Sequence, residues 1–278
     1  MKTDWNNIWK EQMEKHQQLT ESRCELMWNS MIGVHYYVHM MQKCHWGDTL
    51  TEELLHLPLT KQDTILDIGA GPGTHTLPLA SRVAHITAIE PASAMFQYLQ
   101  TAIQQQGLTN VQCILKRWED IDITQDLHGS YDIVLASFSL SMTDIRTALH
   151  TMNHVGKKIY LLWHIGVPAW EELYFALWEK MHNKTYYPVP KAECLLHVLG
   201  QLNISPKTSI HYFDNFYEFS SYDESVEYFS SELDLHHHEQ KEILKQYLDL
   251  HLQEKKNRYV FGGRTYYAMI SWKNTFDS

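Results

Sequence analysis

Along the first sixty residues apolar side chains recur every third or fourth position: Trp5, Ile8, Trp9 and Met13, then Met27, Met31, Val34 and Val38. That spacing predicts amphipathic helices. From Lys61 the texture changes. Short apolar runs rich in Ile and Val (TILDIG, HITAIE, NVQCIL, YDIVLAS, KKIYLLW) alternate with helical stretches (TLPLASRV, SAMFQYLQTAIQQQ, DIRTALHTMN). Such alternation predicts βαβ units, and runs as uniformly apolar as IVLA predict a parallel sheet covered on both faces. Five parallel strands are expected between Thr64 and His164. Past Pro168 the pattern is helical through WEELYFALWEKM and ECLLHVLGQL. A strand is expected over Lys207 to Phe213, a helical block over about Tyr222 to Glu254, and a final alternating strand over Arg264 to Trp272. No Pro/Gly/Ser-rich linker and no repeat divides the chain. The expected organisation is a helical segment over 1–60 and one sheet domain over 61–278, with helical insertions at about 168–202 and 222–256.

Composition narrows the partners. The chain carries 33 Asp and Glu against 23 Lys and Arg, a formal net charge of −10. Non-specific nucleic-acid binding requires clustered Lys and Arg. Here the densest groups are only Lys157-Lys158 and Lys255-Lys256 with Arg258, so nucleic acid is disfavoured as a partner. The longest apolar-leaning stretch, Met27 to Met41, is broken by Asn29, His35 and His39, short of the roughly 18 residues of a membrane span. The opening MKTDWNNIWKEQ lacks the apolar stretch of a signal peptide. Cys24, Cys44, Cys113 and Cys194 form no C-x-x-C pair and read as reduced thiols. A cytoplasmic protein with no membrane partner is expected. His236-His237-His238-Glu239 invites a metal reading, but consecutive helical residues point about 100° apart and cannot converge on one ion. No metal is expected. Oligomeric state is not fixed by the sequence.

The chemistry concentrates in Thr64-Ile-Leu-Asp-Ile-Gly-Ala-Gly-Pro-Gly-Thr74. A buried strand ends in a loop with Gly69, Gly71 and Gly73, and a helix begins just after it. Spaced glycines let a backbone turn tightly and approach a ligand. A dinucleotide loop wants G-x-G-x-x-G, whereas Thr74 stands here at the third glycine's place. A phosphate loop wants Gly-Lys-Ser/Thr, which is absent. Asp67, two residues before the first glycine, is ill placed beside a pyrophosphate and well placed beside a cation.

Asp67-x-Gly69-x-Gly71-x-Gly73 after a strand, with Glu90 closing the next strand, resembles the class I S-adenosylmethionine-dependent methyltransferases over roughly Ile65 to Leu162. The resemblance implies a doubly wound α/β fold: a mostly parallel seven-stranded sheet with helices on both faces, an antiparallel last strand, and here helical lid additions. It makes 61–278 the cofactor-binding domain and 1–60 a lid segment. It implies S-adenosyl-L-methionine as cofactor and S-adenosyl-L-homocysteine as product. The implied cofactor set is Asp67, Gly69, Ala70, Gly71, Gly73, Thr74, Glu90, Pro91, Met95, Arg117, Trp118, Glu119 and Ser137. Asp67 would face the aminoacyl and sulfonium end, and Glu90 both ribose hydroxyls; the plain alternative for Glu90 is an exposed helix-capping acid.

Two departures stand out. Arg117 occupies the place where the family carries an acid for the adenine amino group; Trp118 could stack on adenine or pack in the core, and Glu119 could take the polar contact. The fourth strand exits into Ala136-Ser-Phe-Ser-Leu140, with neither the Asn/Asp-Pro-Pro-aromatic run of base-amine methyltransferases nor the Pro-Cys of pyrimidine-carbon enzymes. The expected function is methyl transfer to a small molecule by in-line displacement. The alternatives are a non-catalytic cofactor-binding relative and a nucleic-acid methyltransferase. Aromatic residues gather before the sheet and near its end, where acceptor pockets form. Tyr36 or Tyr37 is expected near the cofactor methyl, beneath a lid formed by 1–60 and about 168–256. His164, delivered to the carboxyl end of the fifth strand, is the candidate general base; its plain alternative is a strand-capping residue.

Overall fold

A computed structural model describes residues 3–44 and 46–274. Three helices come first: α1 (Trp5–Trp28), α2 (Met31–Cys44) and α3 (Trp46–Leu55). Then follow β1 (Thr64–Ile68), α4 (Thr76–Ala80), β2 (His85–Ile89), α5 (Ser93–Gln105), β3 (Val111–Ile114), β4 (Tyr131–Ser137), α6 (Ile145–Val155) and β5 (Gly156–His164). The chain continues through α7 (Ala169–His182), α8 (Ala192–Gln201), β6 (Lys207–Phe219), α9 (Tyr222–Glu232), α10 (His238–His251), β7 (Gln253–Lys255) and β8 (Arg258–Lys273).

The strand order is β3-β2-β1-β4-β5-β8-β6, with β7 paired to β8. β1 to β5 are mutually parallel, and β8 runs antiparallel to both β5 and β6. This is the expected doubly wound sheet with its antiparallel strand. The short β7 carries no apolar alternation and was not expected. β6 runs six residues past its expected end, and β8 starts six residues before its own.

Alternation along the strands divides the core. Leu66, Ile68, Val134, Ala136, Ile159, Leu161 and Trp163 point to one face, under α1, α6 and α8. Ile65, Ile133, Leu135 and Leu162 point to the other, where Leu50 and Leu54 of α3 and Leu79 of α4 cover them. Successive strand residues face opposite sides, and burial of both sets explains why these strands are apolar throughout. Local signals place the ends of helices: Asp144 accepts the Thr147 N–H at 3.1 Å and caps α6, and Asn183 closes α7 in the left-handed conformation (φ 51°).

The N-terminal helices pass from one face, across the carboxyl edge of the sheet, to the other. Trp9 of α1 is fully buried, and its indole N–H donates to the Met142 carbonyl at 2.8 Å. Val34, Tyr37 and Val38 of α2 pack on Ala92, Ala94 and Met95 at the start of α5. The segment expected as a second lid divides. α7, α9 and α10 build a separate apolar cluster with Phe219 and Phe261, on the distal halves of β6 and β8. α8 instead packs on the sheet face beside α1 and α6, because Cys194, Leu195, Val198 and Leu199 form one apolar stripe that joins the main core. No helix among the described residues is long and apolar enough to cross a membrane.

Candidate cofactor site

At the end of β1 the backbone enters the left-handed region three times, at Gly69 (φ 72°), Gly71 (57°) and Gly73 (94°). Gly69 is also held by contact, since a Cβ there would lie 2.3 Å from the Cβ of Ser139 in the β4 exit. At Gly71 nothing lies within 4 Å of that position, so the backbone presents an open side. The Gly69 and Ala70 N–H groups donate to the Ile89 carbonyl at 2.8 and 3.0 Å, which ties the loop to the end of β2.

Glu90 stands at that strand end and is only 6% exposed. Its carboxylate accepts the Gly71 N–H at 2.8 Å and the Ala92 N–H at 2.7 Å. Burial pushes its pKa up to about 7; the two N–H donors work against this, and the nearby Asp67 charge adds to it. Asp67 is 2% exposed and accepts the Thr76 hydroxyl at 2.6 Å. Burial raises it to about 6, against the pull of Thr76. Neither carboxylate forms an ion pair among the described residues. Two buried acids beside an open glycine turn, without a cation of their own, fit a ligand that brings hydroxyls and positive charge.

A polar chain on the opposite flank of the loop was not foreseen. His75 is buried, with Nδ1 3.2 Å from Thr51 Oγ1 and Nε2 3.0 Å from Ser137 Oγ. Thr51 donates its single hydroxyl proton to the Thr74 carbonyl at 3.1 Å. That order assigns the ring proton to Nδ1 and leaves Ser137 to donate to Nε2. Burial depresses His75 to about 4, so the ring is neutral. Within THTLPL nothing marks His75 out, because its partners come from α3 and β4. The chain fixes α3 against the loop, and Thr74 adds a 3.7 Å contact from its hydroxyl to Met41 Sδ of α2.

The other expected residues divide. Met95 is buried at the start of α5, beneath α2, and Pro91 is exposed beside it. Tyr37 lies against Glu90: burial and the Glu90 charge hold its hydroxyl above the ordinary phenol range. This places Tyr37 at the strand-end carboxylate that would meet the ribose. The Tyr36 side chain lies outside the described residues. Trp118 is turned into the core at 5% exposure, with its N–H donating to the Ala148 carbonyl at 3.4 Å. Its ring therefore packs on α6 and is not free to stack on adenine; Arg117 and Glu119 beside it are exposed. His236, His237 and His238 are exposed at the start of α10.

His164 sits where expected, at the end of β5 opposite Tyr267 of β8. Its ring centroid lies 4.7 Å from Phe138, 5.3 Å from Trp163 and 6.3 Å from Trp170. Burial, with the Lys191 charge, depresses it to about 3. The ring is therefore neutral near neutral pH and a weaker base than a free imidazole. Nδ1 is buried and has no hydrogen-bond partner among the described residues.

Residues 65–158 match the family model described as a methyltransferase domain. The sheet agrees, through its parallel half, its antiparallel β8 and its glycine turn at the β1 exit. Over these residues the chain is similar to the methyltransferase domain family, and its fold is that of the class I S-adenosylmethionine-dependent methyltransferases. An uncharacterized protein from Haemophilus influenzae is 31% identical over 96 residues, 34% of this chain and 35% of that one. Ribosomal RNA small subunit methyltransferase G from Oenococcus oeni is 28% identical over 135 residues, 48% of this chain and 54% of that one. The aligned part thus spans about half or less of these relatives' length. The solved structure of a candidate methyltransferase from Bacillus halodurans superposes with a TM-score of 0.54 at 14% identity, covering 81% of this chain and 98% of that one. That likeness is one of fold.

The raised carboxylates give a pH signature. A group whose folded pKa lies above its unfolded value stabilises the fold below the unfolded value and loses that contribution as pH rises through the folded one. For Glu90 and Asp67 the window runs from about 4 to about 7. Stability of the ligand-free protein should fall across it, while affinity for a cofactor held by the two carboxylates as anions should rise and level off above pH 7. Chemical denaturation and calorimetry at pH 5, 6, 7 and 8 would show the opposed trends; flat profiles would contradict the burial of these acids.

Proposed function

We propose that this chain transfers the methyl group of S-adenosylmethionine to a small apolar or aromatic acceptor and releases S-adenosylhomocysteine. When bound, the cofactor would supply an electrophilic methyl to the acceptor's lone pair, its sulfur keeping the electrons of the broken carbon–sulfur bond. Asp67 would meet the positively charged end and Glu90 the ribose hydroxyls, with the Gly69 to Gly73 backbone as the surface between them. The observation that carries the reading is the pair of buried carboxylates, without a cation of their own, at the open glycine turn. α2 and α3, which meet the loop at Thr74 and His75, flank that turn and support an acceptor held beside it, where alignment and exclusion of water lower the barrier without a strong catalytic motif. His164 takes the part of a neutral hydrogen-bonding group facing the acceptor. His164→Ala should lower turnover about 2- to 10-fold, as for loss of one neutral hydrogen bond, with unchanged cofactor affinity, and His164→Gln should recover part of it; equal turnover in all three proteins would remove His164 from the reaction.

The test of cofactor class is thermal. S-adenosylmethionine and S-adenosylhomocysteine should raise the melting temperature and NAD should not, because Thr74 stands where a dinucleotide loop needs glycine. Equal stabilisation by NAD would overturn the reading. A second reading, RNA as acceptor, is favoured by the ribosomal RNA methyltransferases among the relatives.

A further inference from the structure

β6 and β8 do not stop at the carboxyl edge of the parallel sheet. His164, the last residue of β5, pairs with Tyr267, yet β8 begins nine residues earlier, at Arg258, and β6 continues eight residues past His211, to Phe219. With β7 they form a three-stranded extension that no part of the cofactor site uses. One of its faces is filled by α9 and α10 against Tyr217, Phe219, Tyr259 and Phe261. The other face presents Phe216 and Glu218 of β6, Val260 and Arg258 of β8, and Lys255 of β7, which the register aligns on one side.

These residues, with Lys256, line an open groove of about 610 Å³, large enough for a small molecule to lie in. Its floor is apolar, with Val260 buried and the Lys255 ammonium 5.7 Å above the Phe216 ring. Its rim is cationic: Lys255, Lys256 and Arg258 stand against the single carboxylate of Glu218, a net of two positive charges in a chain whose net charge is −10. Arg258 reaches Glu218 at 3.9 Å, while Lys255 and Lys256 form no ion pair among the described residues. The turn itself is costly. Lys256 (φ 50°) and Asn257 (φ 62°) both adopt the left-handed conformation, which this hairpin type demands and which Asn and Gly adopt far more readily than Lys. This turn thus sets a lysine beside two more cations and over an aromatic floor.

We infer that this groove binds a small phosphorylated molecule with a flat apolar body. A phosphate monoester carries about two negative charges near neutral pH, which matches the excess on the rim, and a planar group would lie on Phe216 and Val260. The site is separate from the glycine turn, so the inference does not depend on the methyl-transfer reading.

Fluorescence titration with 1-naphthyl phosphate tests it, with 1-naphthol and inorganic phosphate as the two halves of the probe. The intact protein should bind the whole probe at least tenfold more tightly than either half. Lys255→Ala/Lys256→Ala/Arg258→Ala, at exposed hairpin positions, should lose at least tenfold in affinity with an unchanged melting temperature. Phe216→Ala should bring naphthyl phosphate down towards inorganic phosphate. Naphthol binding as well as its phosphate, or wild-type affinity in the triple variant, would overturn the site. An oligouridylate binding tenfold more tightly than naphthyl phosphate would also overturn it, by making the groove one for single-stranded nucleic acid.

Discussion

Gly69→Ala should destabilise the protein by about 2–5 kcal/mol, the sum of a left-handed backbone penalty of about 1–2 kcal/mol and an overpacking penalty of about 1–3 kcal/mol. The backbone part follows from φ 72° and the packing part from a Cβ 2.3 Å from that of Ser139. The Ser139 hydroxyl donates to the Ile68 carbonyl at 2.5 Å, so the β4 exit is held in place and cannot easily retreat. Gly71→Ala is the control: its φ is 57°, but nothing lies within 4 Å of the new methyl, so only the backbone part, about 1–2 kcal/mol, is expected. Urea denaturation of both variants separates the two contributions. Measured against Ser139→Gly alone, which loses the hydrogen bond to Ile68, the double variant Gly69→Ala/Ser139→Gly should show only the backbone part. Equal losses at 69 and 71 would show that the loop does not press on the β4 exit.

Glu90→Gln should weaken S-adenosylmethionine binding about 10- to 150-fold, corresponding to about 1.5–3 kcal/mol for hydrogen bonds to a charged group. The side chain is 6% exposed and accepts the Gly71 and Ala92 N–H groups. Glu90→Ala would leave both of those buried donors unpaired and should cost about 1–3 kcal/mol of stability besides, so it is the poorer probe of binding. Glutamine keeps one acceptor and the volume while removing the charge. The rise of affinity between pH 6 and 7 should disappear from the Glu90→Gln profile. Calorimetric titration at pH 6 and pH 8 reads both effects, and an unchanged dissociation constant would make Glu90 a structural cap of the loop and nothing more.

The parallel half of the fold was legible because its signal is local. Each strand from Thr64 to His164 is a short apolar run between turn residues, and both of its faces are buried. The glycine turn was legible for the same reason, since residues 67 to 74 touch one another through the backbone. What escaped depends on distant partners. His75 acquires its role from Thr51 on α3 and Ser137 on β4, which the sequence separates by 24 and 62 residues. Trp118 could equally have faced a base or a helix, and the Ala148 carbonyl of α6 decides it. His164 was correctly placed at the strand end, but its suitability as a base depended on Phe138, Trp163, Trp170 and Lys191, whose convergence no spacing reveals. The extension of β6 and β8 was missed because Asp214, Asn215, Gly262 and Gly263 interrupt the apolar alternation where the strands leave the main sheet.

Transfer of label from tritiated-methyl S-adenosylmethionine, followed by size fractionation of a cell extract supplied as the source of acceptor, tests the central claim most directly. The wild-type protein should place label in the low-molecular-mass fraction, soluble in organic solvent, and Glu90→Gln should do so far more slowly at limiting cofactor. Label recovered in RNA or protein, or no transfer above a heat-inactivated control, would contradict the account.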